Sequence, residues 1–412
     1  MSGDVPAGHP VPDVTIESIQ DAARMLDGIA TVTPVEPSNA LSAVVGTRAY
    51  LKCENLQRSG SFKIRGAYVR MARLTDEEKS RGVVAASAGN HAQGVALGAR
   101  LLGIRSVVYM PTDAALPKVA ATKDYGAEVR LVGTSVDDAL AAARDEADRT
   151  GAVLIHPFDH ADIVAGQATV ALEILEQVPD VRTVVVPTGG GGLTAGVVAA
   201  MAALAPHVRV VGVQAARAAG YQVSLAAGTP TRTVPLSTMA DGIAVSTPGD
   251  VPFGIIHAGG CDIRTVTEED LSRALLFVAE RAKLVVEPSG AAAVAALMAH
   301  PEEYEGPVVA VLSGGNVDPL VLLRVVRHGL ASAGRYLQVR VRLVDRPGAL
   351  AALLQDLAHH GGNVMHVDHV RTGVDLAIDE VEVTMQVETK GPEHRASLLD
   401  FLRGAGYRLT EH

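Results

Sequence analysis

The sequence predicts an α/β protein whose parallel sheets are covered by helices, followed by a small domain of a different kind. Two stretches, "GVVAASAGNHAQGVALGARLLG" from Gly82 and "RTVVVPTGGGGLTAGVVAAMAAL" from Arg182, each run from an apolar strand through a small-residue turn into an alanine-rich helix. A third, "PVVAVLSGGNVD" from Pro307, begins in the same way. Continuous apolar strands that alternate with helices are typical of parallel sheets buried on both faces. Ligands of such sheets bind at the carboxyl ends of the strands, so these turns are candidate site segments.

The composition indicates a globular protein of several domains. The chain has 412 residues, 48% hydrophobic and 20% charged, and two or three domains are expected at that length. A net charge of −10, 3% aromatic residues and no Trp argue against nucleic-acid binding. No long uncharged apolar run occurs, so we predict no membrane span. Cys53 and Cys261 match neither a disulfide framework nor a metal site, which fits a cytoplasmic location.

The sequence pattern changes near Arg335. "YLQVRVRLV" and, further on, "DEVEVTMQVE" alternate apolar and polar residues, as half-buried strands do. Amphipathic helices are predicted after each of them, and a short strand ends the chain, which gives the ferredoxin-like order β-α-β-β-α-β over about 75 residues. The predicted organisation is a flexible tail at 1–13, a main domain at 14–328, a linker at 329–335 and the small domain at 336–412.

The stretch "SGSFKIRGA", residues 59–67, places Lys63 among small, uncharged residues at the start of a predicted helix. Taken alone, such a lysine is more often one whose stem is buried while its ammonium group reaches water. The alternative is a desolvated amine of lowered pKa that can form a Schiff base. The local sequence leaves both interpretations open.

The stretch "TGGGGLTAG", residues 188–196, places four consecutive glycines between a buried strand and a helix. Glycine permits a close backbone approach, and the helix N-terminus favours a phosphate group. Gly190, Gly192 and Ala195 also fit the dinucleotide pattern G-x-G-x-x-A, so a nicotinamide-dependent dehydrogenase is an alternative. It ranks second, because Gln214 stands where that pattern expects an acid.

Two more turns follow strands in the same manner. "SAGNHAQG" places Asn90 at a helix start, where Asn90 or Ser87 could also be an ordinary helix cap, and "LSGGN" contains Ser313. Together with Lys63 and the glycine loop, these turns fit pyridoxal phosphate. That cofactor needs an amine for its aldehyde, a cradle for one phosphate and a partner for its ring nitrogen.

Five motifs in this order and spacing resemble the threonine dehydratase (threonine ammonia-lyase) family of fold type II pyridoxal-phosphate enzymes. They are "SGSFKIRGA", "SAGNHAQG", "PTGGGGL", "VEPSGAA" and "LSGGN". The resemblance covers about residues 14–328. It implies two parallel-sheet α/β subdomains with the cofactor between them, the smaller one (about 51–154) being inserted in the larger. The tail, with "DRPGAL" as its most typical stretch, resembles an ACT domain, a regulatory module that often binds amino acids.

The resemblance also implies roles for individual residues. Lys63 would form the Schiff base and remove the α-proton of the substrate. The cofactor would further be bound by Phe62, by Asn90 at its phenolic oxygen, by Gly189, Gly190, Gly191, Gly192 and Leu193 at its phosphate, and by Ser313 at its ring nitrogen. The substrate would be bound by Ser87, His91 and Asp241. Glu287 lies in another motif of the family, and no metal ligand is expected.

The implied activity is deamination of L-threonine to 2-oxobutanoate and ammonia by elimination of the β-hydroxyl, with L-serine as a second substrate. An amino-acid effector at the ACT domain is expected, and so is a homodimer or homotetramer in which the open apolar sheet face or an edge strand of the tail meets a second copy. Alternatives are an ammonia-lyase for a related β-hydroxy amino acid, a serine racemase, and an amino-acid sensor with an inactive catalytic body. The intact Lys63 argues against the sensor. Ala88 stands where the related racemases have a proton-donating hydroxyl, which favours elimination over racemisation.

Overall fold

The computed structural model describes residues 14–234, 236–371 and 376–411, and the chain divides into two compact units, residues 1–322 and 323–412. The flexible tail predicted at 1–13 lies outside the described residues. None of the helices in the described ranges has the length and apolar character needed to cross a membrane.

The first unit contains the two parallel sheets that the sequence predicts. Its strands are β1 (Val35–Pro37), β2 (Ala49–Lys52), β3 (Val83–Ala86), β4 (Ser106–Met110), β5 (Glu128–Leu131), β6 (Val153–Leu154), β7 (Thr183–Pro187), β8 (Arg209–Ala215), β9 (Asp262–Val266) and β10 (Val308–Val311). Its helices are α1 (Ile16–Leu26), α2 (Asn39–Val45), α3 (Lys63–Ala72), α4 (Asp76–Arg81), α5 (Asn90–Leu102), α6 (Leu116–Asp124), α7 (Val136–Thr150), α8 (Ala161–Gln177), α9 (Gly192–Leu204), α10 (Gly220–Ala227), α11 (Asp250–Ala258), α12 (Glu268–Phe277) and α13 (Ala292–Ala299). Helix α14 (Pro319–Ser332) spans the boundary between the two units.

The larger sheet has the order β1-β2-β10-β7-β8-β9 and is parallel except for β1. Every residue of β7 and β10 is buried, as their continuous apolar sequences predict. The smaller sheet, β5-β4-β3-β6, is wholly parallel, and all its strands lie inside the range 51–154 expected for the smaller subdomain. The parallel α/β fold is thereby confirmed.

The second unit has the predicted β-α-β-β-α-β order. It consists of β11 (Tyr336–Val344), α15 (Ala349–His359), β12 (Asn363–Val370), β13 (Glu380–Glu388), α16 (Pro392–Gly404) and β14 (Arg408–Glu411). The sheet is antiparallel with the order β12-β13-β11-β14. Alternate residues of β11 and β13 are buried with apolar residues of the two helices, which confirms the alternation in their sequences.

Two details differ from the sequence prediction. Residues 329–332 of the expected linker form the end of α14, because alanine and leucine continue the helix in preference to a loop. The side chains on β11 that point away from the apolar core are Gln338, Arg340 and Arg342, so this sheet face is polar. Exposed apolar side chains of the sheet lie on the edge strand β12, at Met365 and Val370, and at Val344 where β11 ends.

Candidate active site

A cavity of about 830 Å³ lies between the two sheets of the first unit, where the carboxyl ends of β3, β7 and β10 meet. All the residues that the sequence analysis selected line this cavity: Phe62, Lys63, Ser87, Asn90, His91, Gly189, Gly190, Gly191, Gly192, Leu193, Asp241 and Ser313. The structure therefore brings together motifs that are up to about 250 residues apart in the chain.

Lys63 is the first residue of α3, and the segment before it is tied to the end of β10. Phe62 donates a backbone hydrogen bond of 3.2 Å to the carbonyl oxygen of Ser313, and Ser61 forms an isolated β-bridge with Gly314. Ser59 has a φ of 62°, a left-handed conformation that is rare outside glycine and turns the chain into this position. The two motifs thus fix where Lys63 begins its helix.

The Lys63 side chain points into the cavity wall and is desolvated. Its Nζ donates a hydrogen bond of 2.9 Å to the carbonyl oxygen of Pro157 and lies 5.1 Å from the centroid of the Phe62 ring. Burial lowers the pKa of Lys63 to about 8, although the charge of Glu287 acts in the opposite direction. About a fifth of this amine is therefore neutral at pH 7.4, against about a thousandth for a lysine of ordinary pKa, so the structure favours the nucleophilic lysine over one whose ammonium group reaches water.

The glycine loop forms a narrow backbone cradle between β7 and α9. Gly191 has a φ of 98°, and a Cβ atom there would lie 1.8 Å from the Tyr221 hydroxyl. A Cβ atom on Gly190 would lie 2.3 Å from the Phe158 ring. The first free N–H groups of α9 point out of this loop, at the positive end of the helix dipole. Only glycines fit here, and the exposed N–H groups suit a phosphate.

His91 and Ser87 follow β3 at the beginning of α5. The His91 imidazole is buried, and its Nε2 donates to the carbonyl oxygen of Ile155 at 2.8 Å. Burial lowers the pKa of His91 to about 3, so the ring is neutral. The His91 side chain thus has a structural partner, and its backbone N–H in the first turn of α5 is what remains for a carboxylate. The Ser87 hydroxyl accepts a 3.1 Å hydrogen bond from the Gly89 N–H.

Asp241 stands at the mouth of the cavity rather than in its depth. It begins a short 3₁₀ helix, Asp241–Ile243, and its side chain is 64% exposed. The Nζ of Lys118, on α6 of the smaller subdomain, lies 3.0 Å from its Oδ2. This ion pair joins the two sides of the cleft.

Sequence reasoning missed a buried charge network beneath α3. Arg65 donates two hydrogen bonds of 2.8 Å to Glu54 and two, of 2.6 and 3.0 Å, to Glu173, and Lys52 donates to Glu173 at 2.5 Å. Arg65, Glu54 and Lys52 are at most 1% exposed. Arg65 lies within the motif of Lys63, but its partners are distant in sequence, so no local pattern could reveal the network. It anchors α3 two residues after Lys63.

The alternative based on a dinucleotide site is not supported at Gln214. The Oε1 of Gln214 accepts a hydrogen bond of 2.9 Å from the Tyr221 N–H, and the Tyr221 hydroxyl donates to the Gly190 carbonyl oxygen at 3.1 Å. Gln214 is 1% exposed, and it supports the glycine loop from inside the fold through its hydrogen bond to Tyr221.

The cavity fits pyridoxal phosphate by the chemistry of its walls. It offers a desolvated amine at Lys63, a backbone cradle for one phosphate, and a hydroxyl at Ser313. Two buried polar atoms in the lining, Gln167 Oε1 and Ser289 Oγ, have no hydrogen-bond partner within the described part of the protein. Unpaired buried polar atoms are rare, and both of these belong to residues that line the cavity.

Comparisons with known proteins agree with this interpretation. Residues 26–314 match the family described as "Pyridoxal-phosphate dependent enzyme", and residues 337–403 match the ACT domain. An L-threonine ammonia-lyase of Thermotoga maritima is 42% identical over 396 residues, covering 96% of this chain and 99% of that protein.

Solved structures show the same fold over three quarters or more of this chain. The processed form of threonine deaminase isoform 2 from Solanum lycopersicum is 33% identical with a TM-score of 0.72, covering 80% of this chain and 98% of the other. Maize serine racemase is 36% identical with a TM-score of 0.71, covering 75% and 96%. The nicotinamide-dependent alternative is therefore wrong. Because the similarity to the Thermotoga protein extends along almost the whole sequence and includes the tail, the chain belongs to the threonine ammonia-lyase family of pyridoxal-phosphate-dependent enzymes, with a C-terminal ACT domain.

Proposed function

We propose that this protein deaminates L-threonine to 2-oxobutanoate and ammonia by eliminating the β-hydroxyl, and that L-serine is a second substrate. The observation that supports it most is the position of Lys63: a desolvated amine of lowered pKa, beside a phosphate cradle and the carboxyl ends of three strands. The full-length similarity to a protein named L-threonine ammonia-lyase agrees with it.

Each part of the cavity has a task in this reaction. Pyridoxal phosphate, when bound, supplies the aldehyde that takes up an amino group and the ring that withdraws electrons from the α-carbon. Lys63 supplies the amine for that aldehyde and, once free, removes the α-proton as a neutral base. The glycine loop, from Gly189 to Gly192 and continuing to Leu193, would hold the phosphate. Phe62 would pack beside the cofactor, and Asn90 would bind its phenolic oxygen.

The substrate is held by the first turn of α5 in this proposal. Ser87 and the backbone N–H groups from Asn90 onward would bind the carboxylate at the positive end of the helix dipole. His91 contributes through its backbone, since its ring is neutral and bonded to Ile155. Asp241, paired with Lys118, would lie near the amino-acid side chain at the cavity mouth.

Ser313 favours elimination over other reactions of the same cofactor. A hydroxyl beside the ring nitrogen does not stabilise its protonated form as a carboxylate would. The ring is then a weaker electron sink, so rapid loss of the β-hydroxyl competes well with transamination. Ala88 lines the cavity beside Asn90 and has no proton to deliver to the opposite face of the α-carbon, which disfavours the serine-racemase alternative.

The experiment that tests the proposal is spectroscopy of the purified protein followed by an assay. The loaded protein should absorb at about 410–420 nm, the range expected of a protonated pyridoxal Schiff base. It should then form 2-oxobutanoate from L-threonine, with slower turnover of other β-hydroxy amino acids. A protein that has the band but turns over a different β-hydroxy amino acid much faster than threonine or serine would contradict the substrate assignment.

The tail supports a proposal about regulation and assembly. We infer that an amino-acid effector binds near the Asp345–Gly348 loop, where α15 begins without a side-chain cap and with Gly348 at a φ of 89°. The edge strand β12, with Met365 61% exposed, supports pairing with a second copy in a homodimer or homotetramer.

In this proposal the catalytic domain extends over 14–328 and the ACT domain over 336–412. Two buried free cysteines fit a reducing cytoplasm.

A further inference from the structure

The side-chain amide of Asn90 is held from two sides by residues of other motifs. Its Nδ2 donates to Glu287 Oε1 at 2.5 Å, and its Oδ1 accepts from Asn316 Nδ2 at 2.9 Å. Asn316 Nδ2 also donates to the carbonyl oxygen of Ser59 at 2.6 Å. Three separate segments of the chain therefore meet at the Asn90 amide, and a fourth, at Ser59, joins them through Asn316.

The orientation of the hydrogen-bonded chain Ser59–Asn316–Asn90–Glu287, called the relay below, follows from its backbone carbonyl, which can only accept. The Ser59 carbonyl oxygen requires a donor, so the amino group of Asn316 faces Ser59 and also Asn90. The oxygen of Asn90 must then face Asn316, and its amino group must face Glu287. One of the two Nδ2 hydrogens is used by Glu287, and the second remains available to the cavity that Asn90 lines.

Two glycines provide the space that the relay needs. A Cβ atom on Gly314 would lie 2.4 Å from Glu287 Oε1 and 2.9 Å from Asn90 Nδ2. A Cβ atom on Gly60 would lie 2.3 Å from the Oδ1 of Asn316. Gly60 lies next to Ser59 and Gly314 lies two residues before Asn316, so the same two motifs supply both the hydrogen-bonding residues and the space around them.

Glu287 is 4% exposed and lines the cavity. The charged groups that act on it are Asp241, Lys118 and Lys63, and none of them forms an ion pair with it among the described residues. Its hydrogen-bond partner through the side chain is Asn90. A buried carboxyl group with one amide partner is placed to orient that partner.

We propose that Glu287 is a positioning residue: it fixes the Asn90 amide so that an N–H, and not the oxygen, faces the pyridoxal phosphate. This inference depends on the proposed contact between Asn90 and the cofactor. If Glu287 or Asn316 is lost, the amide of Asn90 can turn and present its oxygen to an oxygen of the cofactor. Cofactor affinity then falls, although neither residue needs to touch the cofactor itself.

The test is a double-mutant cycle on cofactor binding by the apoenzyme. The dissociation constant of pyridoxal phosphate is measured by absorbance titration for the wild type, Glu287→Leu, Asn90→Ala and the double variant. We expect Glu287→Leu to weaken binding by about tenfold when Asn90 is present, the effect of losing one orienting hydrogen bond. In the Asn90→Ala background the same change should alter the constant by less than about twofold. Glu176→Leu, on an exposed position of α8, is the matched control and should leave it unchanged.

Two further variants separate positioning from other roles. Glu287→Gln keeps an acceptor for Asn90 and should retain most of the cofactor affinity and turnover. Asn316→Asp removes the N–H group that donates to the Asn90 oxygen, so it should weaken cofactor binding as Glu287→Leu does. Asn316→Asp also tests the relay if Glu287→Leu does not fold, as judged by its thermal melt. Equal effects of Glu287→Leu with and without Asn90 would overturn the inference. So would a Glu287→Gln enzyme that binds the cofactor normally but has no turnover, because Glu287 would then transfer a proton. Absence of the Schiff-base band in the wild type would contradict the proposed function instead.

Discussion

The Nζ of Lys63 donates to the carbonyl oxygen of Pro157 at 2.9 Å and forms no ion pair in the part of the chain that the structure describes. Two other lysines nearby differ in this respect. Lys52 is buried but pairs with Glu173, and Lys118 lines the cavity but pairs with Asp241. An ion pair favours the charged ammonium form, whereas a carbonyl dipole in a dry environment does so only weakly. Lys63 is therefore the lysine in this cavity that is prepared to act as a neutral amine.

This difference predicts how cofactor capture depends on pH. Burial lowers the pKa of Lys63 to about 8, and only the neutral amine attacks an aldehyde. The rate at which the apoenzyme captures pyridoxal phosphate should rise with pH and level off above about 8. For a lysine of ordinary pKa, about 10.4, the rise would continue to about pH 10. Stopped-flow absorbance at constant ionic strength measures the profile, with Lys63→Ala giving the background rate.

The side chain at position 88 should decide whether D-serine is formed from L-serine. With excess L-serine, the enzyme should form pyruvate and ammonia without D-serine, because position 88 has no hydroxyl to protonate the opposite face of the α-carbon. Ala88→Ser restores such a group and should produce measurable D-serine. Chiral chromatography of both reactions gives the answer. Substantial D-serine from the wild type would show that another group delivers the proton.

Replacement of Arg65 should cause a large loss of stability. Arg65→Met removes the guanidinium and leaves the buried Glu54 and the nearby Glu173 with the single charge of Lys52. Breaking a buried charge network in this way lowers the free energy of unfolding by about 3–5 kcal/mol. Arg24→Met is the control: its ion pair with Asp21 is largely exposed, and its loss should change stability by less than about 1 kcal/mol. Urea unfolding followed by circular dichroism measures both, and similar midpoints for the two variants would contradict the assignment.

The kinetics with threonine should respond to an amino-acid effector, and deletion of the ACT domain should remove that response. Isoleucine or valine should change the kinetics with threonine by roughly an order of magnitude, with about a hundredfold as the upper range. Deletion of residues 335–412 leaves α14 complete and should abolish this response while retaining turnover. The measurement is a set of threonine saturation curves for both proteins, with and without each amino acid. Curves that are indistinguishable under all conditions would leave assembly as the role of the tail.

The sequence predicted much of the site because three motifs, those of Asn90, the glycine loop and Ser313, each follow a buried parallel strand. Lys63 follows no strand directly, and it was expected in the same site from the chemistry of the cofactor and the family resemblance; the structure places Lys63, Asn90 and Ser313 on one cavity. The alternation in "YLQVRVRLV" likewise predicted the buried face of β11.

What could not be predicted depends on contacts across long distances in the chain. The partner of the Lys63 amine is a backbone carbonyl at Pro157, which has no side-chain signature. Glu173 reaches Arg65 from 108 residues away, and Asn316 reaches Asn90 from 226 residues away. An open apolar face was also expected on the sheet of the tail, but the second face of β11 is polar, as the alternation of its own sequence indicates.

Of the two lysines among the described residues that line the cavity, Lys63 and not Lys118 is expected to hold the cofactor. The most direct measurement is borohydride reduction of the loaded enzyme, followed by digestion and mass spectrometry of the peptides. We predict that the pyridoxyl group is found on the peptide containing Lys63, and that Lys63→Ala loses both the label and turnover by many orders of magnitude, while Lys118→Met keeps the label on Lys63. A pyridoxyl group on Lys118, or a Lys63→Ala enzyme that deaminates threonine at the wild-type rate, would contradict the account.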